Sequence, residues 1–220
     1  MTYHIDDETV SLDDLRQRIE RTDLVPSRLS LLDGINTKLD VLKQHGINTI
    51  ASLRKELKTS KRLEALSIAT GFDTQYLILL RREIESYFPK PPALKAFDWL
   101  PGEEIAKLEE NGIRNAEALY ESASSIESRT ELAESTGVDI ATLATLIRLA
   151  DLTRVQWVSP TTARMLIEAG YNSASKLAEA NPEELCNALV GVNKGDRFFK
   201  GKIGLRDIKR LVWSAGFVPS

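Results

Sequence analysis

"LKQHGINTIASL", residues 42–53, recurs as "LEENGIRNAEAL" at 108–119 and as "LIEAGYNSASKL" at 166–177. Each copy predicts the end of one short helix, a corner of glycine and an apolar residue, and the start of the next helix. Glycine suits the left-handed residue that ends a helix, and the apolar residue after it packs back on the last turn. Asn48 or Thr49 is then placed to cap the following helix. The chain therefore reads as a tandem array of short helices.

The repeat extends well beyond these corners. Residues 36–84 and 102–150 align without a gap at a displacement of 66, with identities at Leu42, Gly46, Ile47, Leu53, Leu66, Thr70, Gly71, Asp73, Leu77, Leu80 and Arg82 of the first copy. Chance would give about three or four matches at this composition. The third corner follows the second by 58 residues, Gly112 to Gly170, so the third copy is shortened between its corners.

In chain order, Ser11 is placed to cap a helix whose Leu12, Leu15 and Ile19 form one apolar face. At "TGFD" Gly71 ends a helix, Phe72 packs and Asp73 caps the next, and "TGVD" repeats this. "YFPKPP" at 87–92 contains three prolines and predicts an extended connector. Asn181-Pro182 is an N-cap followed by proline at the first helical position. Gly195, Gly201 and Gly204 make 193–204 a loop or small hairpin, and a last helix starts at Leu205. The expected fold is all-α. Its parts are an N-terminal helical arm at 1–28, helical repeat 1 at 29–88, a Pro-rich linker at 89–92, repeat 2 at 93–152, and repeat 3 at 153–220 with a basic C-terminal loop and helix.

"ADLTRVQWVSPTTARMLIEAGYNSASKLAEANPEEL", within 150–185, resembles the helix-hairpin-helix superfamily. It resembles more closely an uncharacterised domain-of-unknown-function family related to those hairpins, through its Ala-Asp-Leu lead-in, its Ala-Gly-aromatic corner and its Asn-Pro helix start. The resemblance implies an all-α fold and no particular activity. The wider superfamily binds DNA backbone through a Gly-hydrophobic-Gly turn, whose glycines admit a phosphate to backbone amides. Here those positions fall on Trp157, Val158 and Ser159, on Trp99, Leu100 and Pro101, and on Asp33, Gly34 and Ile35 or one residue later. Neither glycine is kept in that alignment, so phosphate binding at these turns is not expected.

Charge points elsewhere. Residues 98–150 carry four basic and eleven acidic side chains, a balance of −7, and make a poor phosphate binder. Residues 194–210 carry seven basic and two acidic ones, a balance of +5: Lys194, Arg197, Lys200, Lys202, Arg206, Lys209 and Arg210. Phe198 and Phe199 lie among them. A basic glycine-containing loop with aromatics is a candidate contact for nucleic acid or phosphate. The competing reading is a solvated loop whose phenylalanines plug the core and whose cations pair with the acidic repeat. Trp99 and Trp157 share one repeat position and are expected as buried wedges between helices. Arg82 and Arg148 share another and are expected in structural ion pairs.

A net charge of −3 exerts no global pull toward nucleic acid. No apolar run approaches a membrane span, no secretory leader is evident, and the single Cys186 suits a reducing, cytoplasmic compartment. Two histidines and one cysteine do not form a zinc framework. No phosphate-binding loop, dinucleotide fingerprint or nucleophile elbow is present. The expectation is a non-catalytic module that takes no cofactor, metal or small-molecule substrate. It binds DNA or RNA through the basic C-terminal segment; the alternative is a protein-interaction scaffold.

Overall fold

In the computed structural model, which describes residues 2–219, the chain is all-helical. Among the described residues there are thirteen α-helices, two 3₁₀ segments at Pro26–Leu32 and Leu94–Ala96, and no strand beyond two isolated bridges. The chain divides into two compact units, Asp6–Phe88 and Pro89–Ser220, the second also including Met1–Ile5. The division falls at the Pro-rich connector, and the first five residues leave the helical arm that follows them.

The N-terminal unit contains α1 (Leu12–Arg21), α2 (Ile35–Gln44), α3 (Ile50–Leu57), α4 (Ser60–Thr70) and α5 (Thr74–Glu85). Ser11 caps α1 through a reciprocal box with Asp14, and Leu12, Leu15 and Ile19 are fully buried. The C-terminal unit repeats the last four helices as α6 (Gly102–Glu110), α7 (Ala116–Ser122), α8 (Ile126–Thr136) and α9 (Ile140–Leu152). A third set follows as α10 (Pro160–Glu168), α11 (Ala174–Ala178), α12 (Pro182–Val192) and α13 (Leu205–Ala215).

Hydrogen bonds explain the repeated residues. Gly46, Gly112 and Gly170 have φ of 77°, 86° and 88°, the left-handed region that a Cβ disfavours. The next amide then turns back to a helix carbonyl: Ile47 to Leu42 at 3.1 Å, Ile113 to Leu108 at 2.9 Å, and Tyr171 to Leu166 at 2.8 Å. These are Schellman closures. Thr49, Asn115 and Ser173 then cap α3, α7 and α11. The second corner is equally conserved between the first two repeats. Thr70 and Thr136 donate to the carbonyls of Leu66 and Leu132, Gly71 and Gly137 are left-handed, and Asp73 and Asp139 cap α5 and α9. Replacing Gly112 by alanine leaves free space around the new methyl but puts a Cβ on a left-handed residue. Urea denaturation should show a loss of about 1 kcal/mol; an unchanged midpoint would contradict the corner's role.

One amide distinguishes the third repeat. The first amide of α3 donates to the carbonyl of Val10 and that of α7 to the carbonyl of Pro92, both at 2.9 Å. Extended residues before each repeat supply these acceptors. The third repeat follows α9 with no such segment, and its equivalent amide, Ala174, donates instead to Asp151 Oδ2 at 2.8 Å. A side-chain carboxylate thus replaces a backbone carbonyl, which accounts for the aspartate in the Ala-Asp-Leu lead-in. Asp151 is itself held by Arg154 at 2.7 Å.

The core of the C-terminal unit runs from Tyr3, Leu94 and Phe97 through α6, α7, α9 and α10 to Leu185, Ile208 and Leu211. Helix α8 has no fully buried residue and meets this core only through the half-buried Leu132 and Ala133.

Candidate functional site

The seven basic residues at 194–210 lie on the 193–204 connection and on α13. The connection is a loop without strands. Asn193, buried after α12, ties it together. Its Oδ1 accepts from the amides of Phe198 at 2.9 Å and Phe199 at 3.0 Å, and its Nδ2 donates to the Phe199 carbonyl at 2.9 Å. Asp196 adopts the left-handed conformation at φ 55°, and Gly201 lies under the Phe199 ring, where a Cβ would come within 2.8 Å. The loop is therefore shaped by its own side chains.

Its aromatics divide. Phe198 packs against the core, whereas Phe199 remains 51% exposed, so only one of the two plugs the interior. The cations divide as well. Arg197 makes a two-point contact with Glu168, at 2.7 and 3.2 Å. Lys209 pairs with Glu183 at 3.1 Å, and this ammonium holds the Glu183 carboxyl below its usual range. Arg210 approaches Asp207 at 3.8 Å. All three carboxylates belong to the third repeat, so the cations do not pair with the acidic middle repeat. Lys194, Lys200 and Lys202 are exposed and make no ion pair among the described residues. Arg206 is exposed at the start of α13.

Two tryptophans join this surface. Trp157 is not a buried wedge: it is 45% exposed, takes φ 69°, and lies under the Arg210 guanidinium at 4.4 Å. Its left-handed backbone turns the ring outward while the neighbouring Val158 goes inside. Trp99 is half-buried, edge-on to Phe97 at 5.7 Å, and faces the Arg164 guanidinium at 5.0 Å. Arg164 also lies 5.2 Å from the Phe198 ring and donates to Glu168 at 3.2 Å. Arg164 and Arg197 thus share one carboxylate and one aromatic ring. Arg164 was not singled out from sequence, although it sits one helical turn beyond the Trp157 turn on α10.

The residues preceding α2, α6 and α10 are Gly34, Pro101 and Ser159. The first turn thus enters its helix one residue earlier than the alignment through the corners places it, because α2 is one residue longer than α6 and α10. Pro101 has no amide to offer an anion, and Ser159 uses its hydroxyl to accept from Thr162.

Arg82 and Arg148 were expected in ion pairs. Both are exposed, and neither makes an ion pair among the described residues. Among those residues no group of three or more His, Cys, Asp or Glu is placed to hold a metal ion, and no helix is long and apolar enough to cross a membrane.

No curated protein and no solved structure matches this sequence. A family model does match, over residues 101–216, described as Domain of unknown function (DUF4332). That match takes in helices α6 to α13, with the Ala-Asp-Leu lead-in and the basic loop, more than half of the chain, and the protein is a member of the DUF4332 family.

Proposed function

We propose that the protein is a non-catalytic, cytoplasmic module that binds nucleic acid along its backbone, without regard to sequence, through the third repeat. The observation that carries this reading is the set of three exposed lysines, Lys194, Lys200 and Lys202, with no ion pair among the described residues, on a loop that also exposes Phe199. Lysines fixed on a shaped loop are suited to neutralising successive phosphates. Exposed Phe199 and Trp157 offer faces on which unpaired bases stack, which favours single strands. The resemblance of residues 150–185 to helix-hairpin-helix proteins favours this class of ligand but not the mode, since the turns before α6 and α10 lack the glycines. Protein interaction is the second reading. It is favoured by the carboxylates that already engage Arg197, Lys209 and Arg210.

The test is fluorescence anisotropy with labelled single- and double-stranded DNA and RNA at low salt. Lys194→Ala, Lys200→Ala and Lys202→Ala combined should weaken binding roughly tenfold or more. Phe199→Ala should weaken single-strand binding by about 1–3 kcal/mol and leave duplex binding nearly unchanged. Equal affinities for the wild type and the triple-lysine variant would remove the loop from the interface.

A further inference from the structure

A cleft of about 610 Å³ opens within the C-terminal unit, away from the basic loop, and no part of the proposed function uses it. Three arginines line it: Arg154, and the exposed Arg129 from α8 and Arg148 from α9. Arg129 donates its Nε to the Ala123 carbonyl at 3.0 Å, which fixes the head while leaving its terminal amino groups uncommitted. Arg148 has no ion pair and no side-chain hydrogen bond among the described residues. Three further polar side chains line the same cleft with no hydrogen bond among the described residues: Ser124, Asn172 and Ser175. At its base Arg154 and Asp151 neutralise one another at 2.7 Å. Arg129 and Arg148 are therefore the excess charge of the cleft.

This pattern is unusual for its surroundings. Residues 98–150 hold only four basic side chains against eleven acidic ones, yet two of the four line one concavity with no carboxylate paired to either. Surface arginines in an acidic region ordinarily find a carboxylate. We infer that the cleft is a binding site for a small molecule bearing a phosphate monoester. Two guanidiniums match the charge of about −2 on such a group near neutral pH, and guanidinium donors fit its oxygens in pairs. Ser124, Asn172 and Ser175 supply further hydrogen bonds, and Ile147 and Val218 offer an apolar wall for the organic part. The volume lies within the usual range for small-ligand sites, about 300–1,000 Å³.

The experiment is isothermal titration of the full chain with inorganic phosphate and with ribose 5-phosphate, at constant ionic strength set with chloride. Saturable binding is expected with a Kd of about 1 mM or tighter. Arg129→Ala and Arg148→Ala should each weaken it at least tenfold, and Arg148→Lys should weaken it less. Both arginines are exposed, so the variants should keep the wild-type melting temperature, checked by circular dichroism. Arg82→Ala, at the matching position of the first repeat, should bind as wild type. So should the triple-lysine variant of the basic loop. Absence of saturable binding would overturn the inference, as would binding that survives the arginine changes or is lost in the triple-lysine variant, which would place the anion on the loop.

Discussion

Arg154→Ala will destabilise the C-terminal unit by about 3–5 kcal/mol, read as a lower urea midpoint at unchanged slope. Arg154 is 4% exposed and ties three groups from distant parts of the unit to the neighbouring Asp151. Its Nε donates to the Tyr3 carbonyl at 3.0 Å, Nη1 donates to Asp151 Oδ1 at 2.7 Å and to the Tyr120 hydroxyl, and Nη2 donates to the Pro219 carbonyl. Alanine would strand the Asp151 charge, on which the first amide of α11 depends. Arg154→Lys keeps the charge but loses the planar fork, and should recover only part of the loss. Pairing Arg154→Met with Asp151→Asn should cost less than the sum of the two single changes. A loss below about 1 kcal/mol for Arg154→Ala would show that the hub is not what joins these segments.

The same cluster sets an alkaline limit. Burial pushes the Tyr3 hydroxyl up to about 12, against the lowering effects of its hydrogen bond with Thr153 and of Arg154. Below pH 10 the tyrosine is protonated both folded and unfolded, and its contribution is fully present. Above pH 10 the unfolded chain ionises first, so stability falls by up to about 2–3 kcal/mol as the pH approaches 12. Tyr3→Phe should remove that share of the slope in denaturation curves taken between pH 9 and 12. An identical slope in the variant would contradict this assignment.

Glu83→Ala should cost the N-terminal unit a similar amount, about 3–5 kcal/mol. Glu83 is 4% exposed, accepts from the Tyr87 hydroxyl at 3.1 Å and pairs with Arg28. The Arg18 guanidinium lies 3.6 Å over the Tyr87 ring, and burial pulls Arg18 down to about 10 despite Tyr87 and Glu83. Removing the carboxylate leaves two arginine charges facing one buried phenol. Glu83→Gln retains an acceptor for Tyr87 and isolates the charge from the hydrogen bond. The matching residue of the second repeat is Leu149, 1% exposed, so the position is core in both and polar only where α1 and the first 3₁₀ segment bring arginines to it. Thermal melting of the two variants would separate these contributions, and a Glu83→Ala protein as stable as wild type would refute the network's role.

The corners were legible because their chemistry is local. Glycine at the left-handed position, threonine before it and aspartate after it act within one or two turns, so spacing alone reveals them. Arg154 was not legible, because its partners at Tyr3, Tyr120 and Pro219 lie far away along the chain. The one hint is a charge set between the apolar Leu152 and Val155, beside Thr153. Trp157 misled for a related reason. Its repeat position matches Trp99, but its left-handed backbone aims the ring at Arg210 rather than inward, and nothing in composition signals a positive φ on tryptophan. Arg197, Lys209 and Arg210 counted toward a basic patch by sequence, yet Glu168, Glu183 and Asp207 come close enough in space to compensate them. That leaves Lys194, Lys200 and Lys202 as the informative part of the segment. Arg148 was paired with Arg82 by repeat position, Arg129 was not singled out from sequence, and only the fold brings Arg129 and Arg148 to one cleft.

The salt dependence of wild-type binding to a labelled single-stranded oligonucleotide tests the central claim most directly. With three unpaired lysines on phosphates, the slope of log K against log salt should be about −2 for a single strand, with affinity falling steadily between 50 and 200 mM salt, by order of magnitude. Absence of binding at the lowest salt, or affinity that does not change with salt, would contradict a backbone-binding module.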